Sequence, residues 1–191
     1  MKPDNPEWHY MLANVQREQG KLDEAVASYR QAVKLKPDHA DAYNNLGLAL
    51  GSQGKLDEAV SCYERVLWLR PDYALAYNNL GNVLRDQGKF EDAITRIQQV
   101  LRFKPDYAEA HNNLGVTYAT MRRIDDAVAS FQHAVRLKPG YAEAHNNLGI
   151  ALRDQGKLSD AVDSCREAVR LKPDYADAYY SLGNALKDLD R

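Results

Sequence analysis

The chain has 191 residues, 45% of them hydrophobic and 27% charged, as is typical of a globular protein. Its formal net charge of −2 argues against a nucleic-acid binder, because such proteins usually carry a basic face. No apolar run approaches the roughly 20 residues of a membrane span, and the first residues lack the apolar segment of a secretory signal, so we expect neither kind of protein.

Proline residues divide the chain into units of equal length. Pro37 is followed by a proline every 34 residues as far as Pro173, and Leu-Gly pairs keep the same interval. A fixed period of this length indicates a repeat architecture. We expect a single array. The partial units at its two ends favour a segment cut from a longer array. Its parts are the tail of a preceding repeat at 1–5, repeats at about 6–39, 40–73, 74–107, 108–141 and 142–175, and an unpaired first helix at 176–191.

Each repeat has the pattern of a helical hairpin. In the second repeat Tyr43, Leu46 and Leu50 lie on one face of a first helix. Gly54 is placed to end that helix in a left-handed conformation. Tyr63 belongs to the apolar stripe of a second helix, which the following proline terminates.

These features resemble the tetratricopeptide repeat family. They are an aromatic residue before x-x-Leu-Gly, a turn glycine, an alanine four residues before an aromatic residue, and a proline, all at a period of 34 residues. The resemblance covers nearly the whole chain. It implies an all-α fold, a right-handed superhelical solenoid of helix-turn-helix repeats in which the first helices line a concave groove.

A helical wheel separates the two asparagines that precede most of the Leu-Gly pairs. At about 100° per residue, the second asparagine lies opposite the apolar arc and is expected on the groove floor. The first asparagine is expected nearer the groove edge. The floor positions are Asn45, Asn79, Asn113 and Asn147, and the edge positions are Asn44, Asn78, Asn112 and Asn146.

The row of second asparagines is the main candidate for a binding site. An amide carries both donors and an acceptor, so it can pair in two directions with a peptide group. Asn14 and Asn82 extend this polar surface, and Arg17, Arg85 and Arg153 stand near the ends of first helices. The alternative is that all of them are polar side chains on a solvated face, copied by duplication, since helix-dipole matching also explains the arginines.

The row is similar to the asparagine ladder in the repeat domain of O-GlcNAc transferase. That resemblance implies recognition of the main chain of an extended segment. The row is interrupted at Met11 in the first repeat and at Ser181 in the last helix. No glycosyltransferase domain accompanies the repeats, so the resemblance implies no transfer activity in this segment.

No constellation of catalytic residues is found in the sequence, which lacks a phosphate-binding glycine loop, Gly-x-Ser-x-Gly and His-Glu-x-x-His. His111 and His145 occupy equivalent places in adjacent first helices, but no third metal ligand is in register. Cys62 and Cys165 are far apart, and we expect reduced thiols and a cytoplasmic protein. The prediction is no enzyme, no cofactor and no metal.

The sequence thus predicts a non-enzymatic protein-interaction module that binds an extended peptide segment of a partner protein, and neither nucleic acid nor membrane. Two alternatives stay open. One is a substrate-presenting repeat domain of a larger O-GlcNAc transferase-like enzyme, and the other is a self-assembling or engineered scaffold. The last helix has no second helix to cover Tyr179 and Leu182, so a homo-oligomer through that helix is a further alternative.

Two residues depart from the pattern of their repeat positions. Arg122 stands where four other repeats have a turn glycine, and we expect a positive φ there with a cost of roughly 1 kcal/mol relative to glycine. Trp68 occupies a slot that holds lysine or arginine in the other repeats. It is expected on the outer surface.

Overall fold

The computed structural model describes residues 4–190, and the regular structure in that range consists of eleven α-helices without a strand. Residues 1–3 and 191, which belong to the predicted leading tail and last helix, lie outside the described residues. The helices are α1 Pro6–Glu18, α2 Leu22–Leu35, α3 Ala40–Ser52, α4 Leu56–Leu69, α5 Ala74–Asp86, α6 Phe90–Phe103, α7 Ala108–Thr120, α8 Ile124–Leu137, α9 Ala142–Asp154, α10 Leu158–Leu171 and α11 Ala176–Leu189.

The turn after a first helix contains one residue in the left-handed region. Glycine fills it in four turns, with φ between 74° and 80°, and Arg122 fills it in the fifth with φ of 59°, as expected. The Arg122 N–H donates to the Ala119 carbonyl at 3.0 Å and the Arg123 N–H to the Tyr118 carbonyl at 2.9 Å. These two bonds satisfy the last carbonyls of α7, so the turn keeps the glycine-type geometry with an arginine in it.

The second helices end two residues before each proline, and the residue between the helix and the proline is no longer helical. Lys36 has φ −134° and ψ 87°, and Lys138 has φ −135° and ψ 82°. A proline ring disfavours helical backbone in the residue before it, so the chain becomes extended at that point. The proline spacing therefore sets where α2 and α8 stop.

The glycine of the Leu-Gly pair allows a ring from the second helix to approach the first helix closely. A Cβ atom on Gly47 would lie 2.8 Å from Cζ of Tyr63, and one on Gly115 would lie 2.6 Å from Cε1 of Phe131. Only a residue without a side chain fits these contacts. Tyr63 and Phe131 are consequently 1% and 2% exposed.

The chain forms two compact units, Met1–Arg96 and Ile97–Arg191, and the boundary falls within α6. In the first unit α1 packs on α2 and α3 on α4, each second helix also packs on the next first helix, and α3 contacts both α1 and α5. Its core includes Tyr29, Leu50, Tyr63, Val66 and Leu80.

The second unit repeats this arrangement from α7 to α11. Its buried residues include Phe131, Leu148, Leu152, Val162 and Cys165. Helical hairpins of this kind confirm the expected all-α fold class of helix-turn-helix repeats. Trp68 is 70% exposed, so its predicted position on the surface is confirmed.

Candidate functional site

The second asparagine of each pair lies at a partly accessible position of its first helix. Asn45, Asn113 and Asn147 are half-buried, and Asn79 is 9% exposed. The leucines that follow them, such as Leu80, belong to the core. Three of the four predicted floor residues can therefore be reached from solvent, and Asn79 can be reached only slightly.

The first asparagine of each pair does not lie at an exposed groove edge, so that expectation is wrong. The helical wheel gives an angle but does not show which neighbour occupies it. For Asn44 the neighbour is α5, whose Asn79 bonds to it. The exposed fractions are 2%, 5%, 6% and 4% for Asn44, Asn78, Asn112 and Asn146.

The two asparagine sets bond to each other between consecutive first helices. In the first unit Asn79 Nδ2 donates to Asn44 Oδ1 at 3.2 Å. In the second unit Asn147 Nδ2 donates to Asn112 Oδ1 at 3.0 Å. The later helix supplies the donor and the earlier helix the buried acceptor, so the row has a structural role that the sequence reading did not include.

Asn14 and Asn45 form a denser network at the start of the row. Asn45 Nδ2 donates to Asn14 Oδ1 at 3.0 Å and to the Tyr10 hydroxyl at 3.3 Å. The Tyr29 hydroxyl also donates to Asn14 Oδ1, at 2.6 Å, and Asn44 Nδ2 donates to Asn45 Oδ1 at 3.2 Å. The amide of Asn45 is thus more fully used than those of Asn79 and Asn147.

The row ends in a polar atom without a partner. Asn146 Oδ1 is buried and accepts no hydrogen bond from any residue between 4 and 190. The slot that would supply its donor, one repeat after Asn147, holds Ser181, which is 6% exposed. The interruption at Ser181 therefore leaves a buried acceptor unsatisfied, which is a destabilising arrangement.

The three predicted arginines are half-buried, and two of them pair with acids on their own helices. Arg85 Nη2 lies 3.0 Å from Asp86 Oδ1, and Arg85 Nη1 donates to Asn82 Oδ1 at 3.3 Å. Arg153 lies 3.5 Å from Asp154 and 3.9 Å from Asp188. Arg85 and Arg153 therefore add little net positive charge, while Arg17 stays a half-buried cation near the end of α1.

A second set of amide bonds, which sequence reasoning missed, joins the helix ends. Gln53 Nε2 and Gln87 Nε2 each donate at 2.8 Å, to Asp23 and Asp57 respectively, and Gln155 Nε2 donates to Asp125 at 2.5 Å. The sequence contains a pattern that could have indicated these bonds, because glutamine precedes the turn glycine in four repeats. These bonds lie away from the asparagine row and are structural.

The acids that begin first helices are paired with residues near the repeat-ending prolines. Lys138 donates to Glu109 at 2.6 Å, and this bond holds the pKa of Glu109 below its usual range. The Tyr73 hydroxyl donates to Asp41 at 2.7 Å, and burial together with that bond raises the pKa of Tyr73 to about 12. These carboxylates hold the ends of the repeats together.

The histidines and cysteines have structural environments. His111 Nε2 lies 2.9 Å from the Pro105 carbonyl, and His145 Nε2 lies 2.9 Å from the Pro139 carbonyl. Each ring therefore pairs with the turn that precedes its helix. Burial raises the pKa of both cysteine thiols to about 11, so they are protonated at neutral pH. Within residues 4–190 no cluster of three metal-ligating side chains occurs.

A cavity lies beside the asparagine row in each unit, and the sequence reading did not anticipate either. The first, of about 280 Å³, is lined by residues of α3, α4 and α5, and the second, of about 290 Å³, by the corresponding residues of α7, α8 and α9. Asn79 lines one and Asn147 the other. Every lining residue of the second cavity stands two repeat lengths after its counterpart in the first.

None of the helices described between residues 4 and 190 is long and apolar enough to cross a membrane.

Solved structures with the same fold are similar to this chain over nearly its whole length. TTC0263, a thermophilic TPR protein of Thermus thermophilus, has 22% identity and a TM-score of 0.79, with 95% of this chain and 99% of that chain covered. Pseudomonas aeruginosa pilF has 19% identity and a TM-score of 0.81, with 97% and 86% covered. YrrB, described as a TPR protein with an unusual peptide-binding site, has 22% identity and a TM-score of 0.66, with 94% and 93% covered.

Models of protein families identify the repeat itself, whereas no curated protein matches the chain. A TPR repeat model matches residues 13–54 and 81–121. Tetratricopeptide repeat models match residues 40–73, 62–95, 117–176 and 147–190. These matches together extend from residue 13 to residue 190. With the repeated helical hairpins described above, they show that the chain belongs to the tetratricopeptide repeat family, whose members generally serve as protein-interaction modules.

Proposed function

We propose that the chain is a non-enzymatic module that binds an extended peptide segment of a partner protein along its second asparagines. The supporting observation is the unused capacity of two of these amides. Each inter-helix bond uses one N–H of Asn79 or Asn147, and the second N–H and Oδ1 have no bond to residues 4–190. A peptide group offers one acceptor and one donor, which match the two remaining groups.

The inter-helix bonds also favour this function energetically. Because Asn147 is held by Asn112, its remaining groups are oriented before a ligand arrives. Preorganisation lowers the entropic cost of binding. Recognition through amides contacts the main chain, so the proposed module tolerates varied side chains at most positions of its ligand.

Charge supports a protein ligand rather than a nucleic acid. The net charge is −2, and Arg85 and Arg153 are neutralised by neighbouring aspartates. We place Asn14, Asn82 and the arginines at the flanks of the bound segment. YrrB, a structural relative, is described as having a peptide-binding site, which agrees with this proposal. A cytoplasmic location is part of the proposal, since Cys62 and Cys165 are both free and buried.

Self-association is a second candidate function, favoured by the surface of α11. Tyr179 is 52% exposed, and a Cβ on Gly183 would meet no atom within 4 Å, whereas Gly47 and Gly115 are covered by rings. Sedimentation at increasing concentration tests this candidate. A strict monomer at high concentration excludes it. Substrate presentation to an attached enzyme would use the same proposed peptide surface.

A displayed library of random peptides, each about 16 residues long, tests the main proposal; that length spans roughly 50 Å when extended. The row variant changes Asn45, Asn79, Asn113 and Asn147 to alanine. The matched control changes Gln53, Gln87 and Gln155 to methionine, which breaks inter-helix amide bonds away from the row. We expect the control to retain peptide binding and the row variant to lose it, with both shown to be folded by circular dichroism.

A second experiment tests whether the chain recognises the main chain of the peptide. N-methylation of successive peptide bonds in a selected peptide removes main-chain donors one at a time. We expect the binding affinity to fall about tenfold or more at alternate residues. Removal of a hydrogen bond between uncharged groups in a desolvated site costs about 1–3 kcal/mol. Equal binding by the row variant and the native chain overturns the proposal.

A further inference from the structure

The first cavity contains a buried hydroxyl group that has no hydrogen-bond partner in the described part of the chain. Tyr63 is 1% exposed and lines this cavity. Its hydroxyl forms no hydrogen bond with any residue between 4 and 190, and burial raises the pKa of the phenol well above its usual range. Because buried polar groups in folded proteins are nearly always hydrogen-bonded, this hydroxyl is a candidate contact for a ligand.

The residue that would pair with this hydroxyl differs between repeats. One repeat earlier, the Tyr29 hydroxyl donates to Asn14 Oδ1 at 2.6 Å. The position of Asn14 holds Leu48 in the second repeat, and a leucine side chain cannot accept a hydrogen bond. In the second cavity the ring is Phe131, which has no hydroxyl. The leucine therefore leaves the phenol of the first cavity able to bond to a ligand.

The other polar groups of the first cavity offer both donors and acceptors. Asn82 Oδ1 accepts from Arg85, whereas the two N–H groups of Asn82 have no bond to residues 4–190. Asp86 Oδ1 accepts from Arg85 at 3.2 and 3.0 Å, whereas Asp86 Oδ2 has no such bond. A ligand group that both accepts and donates hydrogen bonds is therefore complementary to this cavity. Aliphatic contacts come from Leu48, Leu56 and Val83.

We propose that the first cavity binds the side-chain carboxamide of a glutamine in an extended partner peptide. This rests on the proposed peptide-binding function and adds to it a sequence preference. The carboxamide oxygen accepts from Tyr63 or Asn82, and the carboxamide N–H groups donate to Asp86. Asn79 lines the same cavity, so the amide proposed to bind the peptide main chain stands beside this site.

Length and charge favour glutamine over other side chains. Tyr63 is almost fully buried, so a ligand atom reaches its hydroxyl only from the end of a long side chain. Glutamine is longer than asparagine by a methylene group, which gains from contact with the aliphatic wall. Glutamate has the same length but would place a second carboxylate beside Asp86. Lysine has no acceptor for the N–H groups of Asn82.

Nitrogen-edited NMR of the full chain tests the proposal. The probe is acetyl-Gly-Gln-Gly N-methylamide, in which the glutamine side chain is the only primary carboxamide. Two counterparts carry methionine or glutamate in place of glutamine. The signals to follow are the backbone N–H of Gly51 and the side-chain NH₂ of Asn82, which line the first cavity. The backbone N–H groups of Ala119 and Ile150, at the corresponding positions of the second cavity, serve as internal controls.

We expect the glutamine probe to shift the Gly51 and Asn82 signals saturably. Its dissociation constant should be about two- to tenfold lower than that of the methionine probe, which fills similar space without hydrogen bonds. The signals of Ala119 and Ile150 should show no preference for glutamine. The glutamate probe should bind more weakly than the glutamine probe, and this difference should shrink at high salt. Equal binding of the glutamine and methionine probes at Gly51 and Asn82 overturns the proposal.

Removal of the hydroxyl oxygen tests the contact itself. Tyr63→Phe should abolish the preference for glutamine over methionine. Phe131→Tyr is the matched control, because it adds a hydroxyl to the second cavity, and it should leave that preference intact. Thermal unfolding checks the folded state: Tyr63→Phe should keep the native Tm, whereas Tyr29→Phe, which breaks the bond to Asn14, should lower it. A preference for glutamine that survives in Tyr63→Phe overturns the proposal.

The peptide library separates this inference from the function on which it rests. If selected peptides depend on the asparagine row but show no preference for glutamine at any position, this inference fails and the peptide-binding function stands. If no peptide binds the row, both fail.

Discussion

Asn147 donates its side-chain amide to Asn112 across the space between α9 and α7, at 3.0 Å. Asn112 is 6% exposed, so water cannot replace this donor readily. The same relationship joins Asn79 to Asn44 in the first unit at 3.2 Å. In these two pairs, asparagines that look unfavourable for a helix are therefore retained without a hydrogen-bonding cost, because the buried amide oxygen of one helix has a donor on the next first helix.

Asn147→Ala is expected to lower the free energy of unfolding by about 1–3 kcal/mol, since it leaves the buried Asn112 oxygen unpaired. Asn112→Ala removes the other partner, and the double variant should cost less than the sum of the two single variants by at least about 0.5 kcal/mol. Urea unfolding measures all three, with the exposed Glu143→Ala as the control. Strict additivity would contradict the coupling.

Ser181→Asn is expected to stabilise the protein. The new amide would stand one repeat after Asn147 and would supply the donor that the buried Asn146 oxygen lacks. A gain of about 1 kcal/mol corresponds to about 2–4 °C in Tm for a chain of this size. Ser181→Ala is the control, because it changes the same site without adding a donor. A lower Tm for the asparagine variant would show that the slot cannot hold the larger side chain.

Arg122→Gly is expected to raise Tm. Arginine at φ 59° carries a backbone cost of roughly 1 kcal/mol that glycine does not. The reciprocal change, Gly156→Arg, should lower stability by a similar amount because Gly156 has φ of 80°. Differential scanning calorimetry compares the two. A clear drop for Arg122→Gly would mean that the arginine side chain stabilises the turn by more than its backbone costs.

Gly115→Ala and Gly183→Ala are expected to act in opposite directions. The first places a methyl group 2.6 Å from the Phe131 ring, and such overpacking costs about 1–3 kcal/mol. The second meets no atom within 4 Å and exchanges a helical glycine for alanine, which favours the helix by up to about 1 kcal/mol. Chemical denaturation of the two variants measures both changes in the free energy of unfolding. A destabilised Gly183→Ala chain would indicate that α11 is covered in solution.

Much of the fold follows from local chemistry that can be read in the sequence. Proline after a basic residue fixes the end of α2 and α8, and Arg122 adopts a positive φ because the turn bonds of α7 require it. Periodicity also distinguishes the apolar arc from the polar face. These features depend on residues close to one another in the chain.

The candidate site depends on neighbours that a single helix does not reveal. The wheel placed Asn44 near an edge, but α5 covers that flank, so the side chain is buried. The cavities arise between residues of successive repeats, such as Val116 and Asn147, and no local pattern marks them. The unpaired oxygen of Asn146 likewise cannot be predicted from its own helix, because it depends on whether Ser181, in the next first helix, supplies a donor to it.

The direction of the asparagine bonds has a consequence for how such a chain can grow. Within each unit a repeat offers an acceptor to the repeat after it and a donor to the repeat before it. A copied unit of 34 residues that carries both asparagines is thus compatible with either neighbour from the moment it is inserted. Lengthening by whole units needs no compensating substitutions at these positions, which gives a physical reason for the near-identical Asn-Asn-Leu-Gly segments.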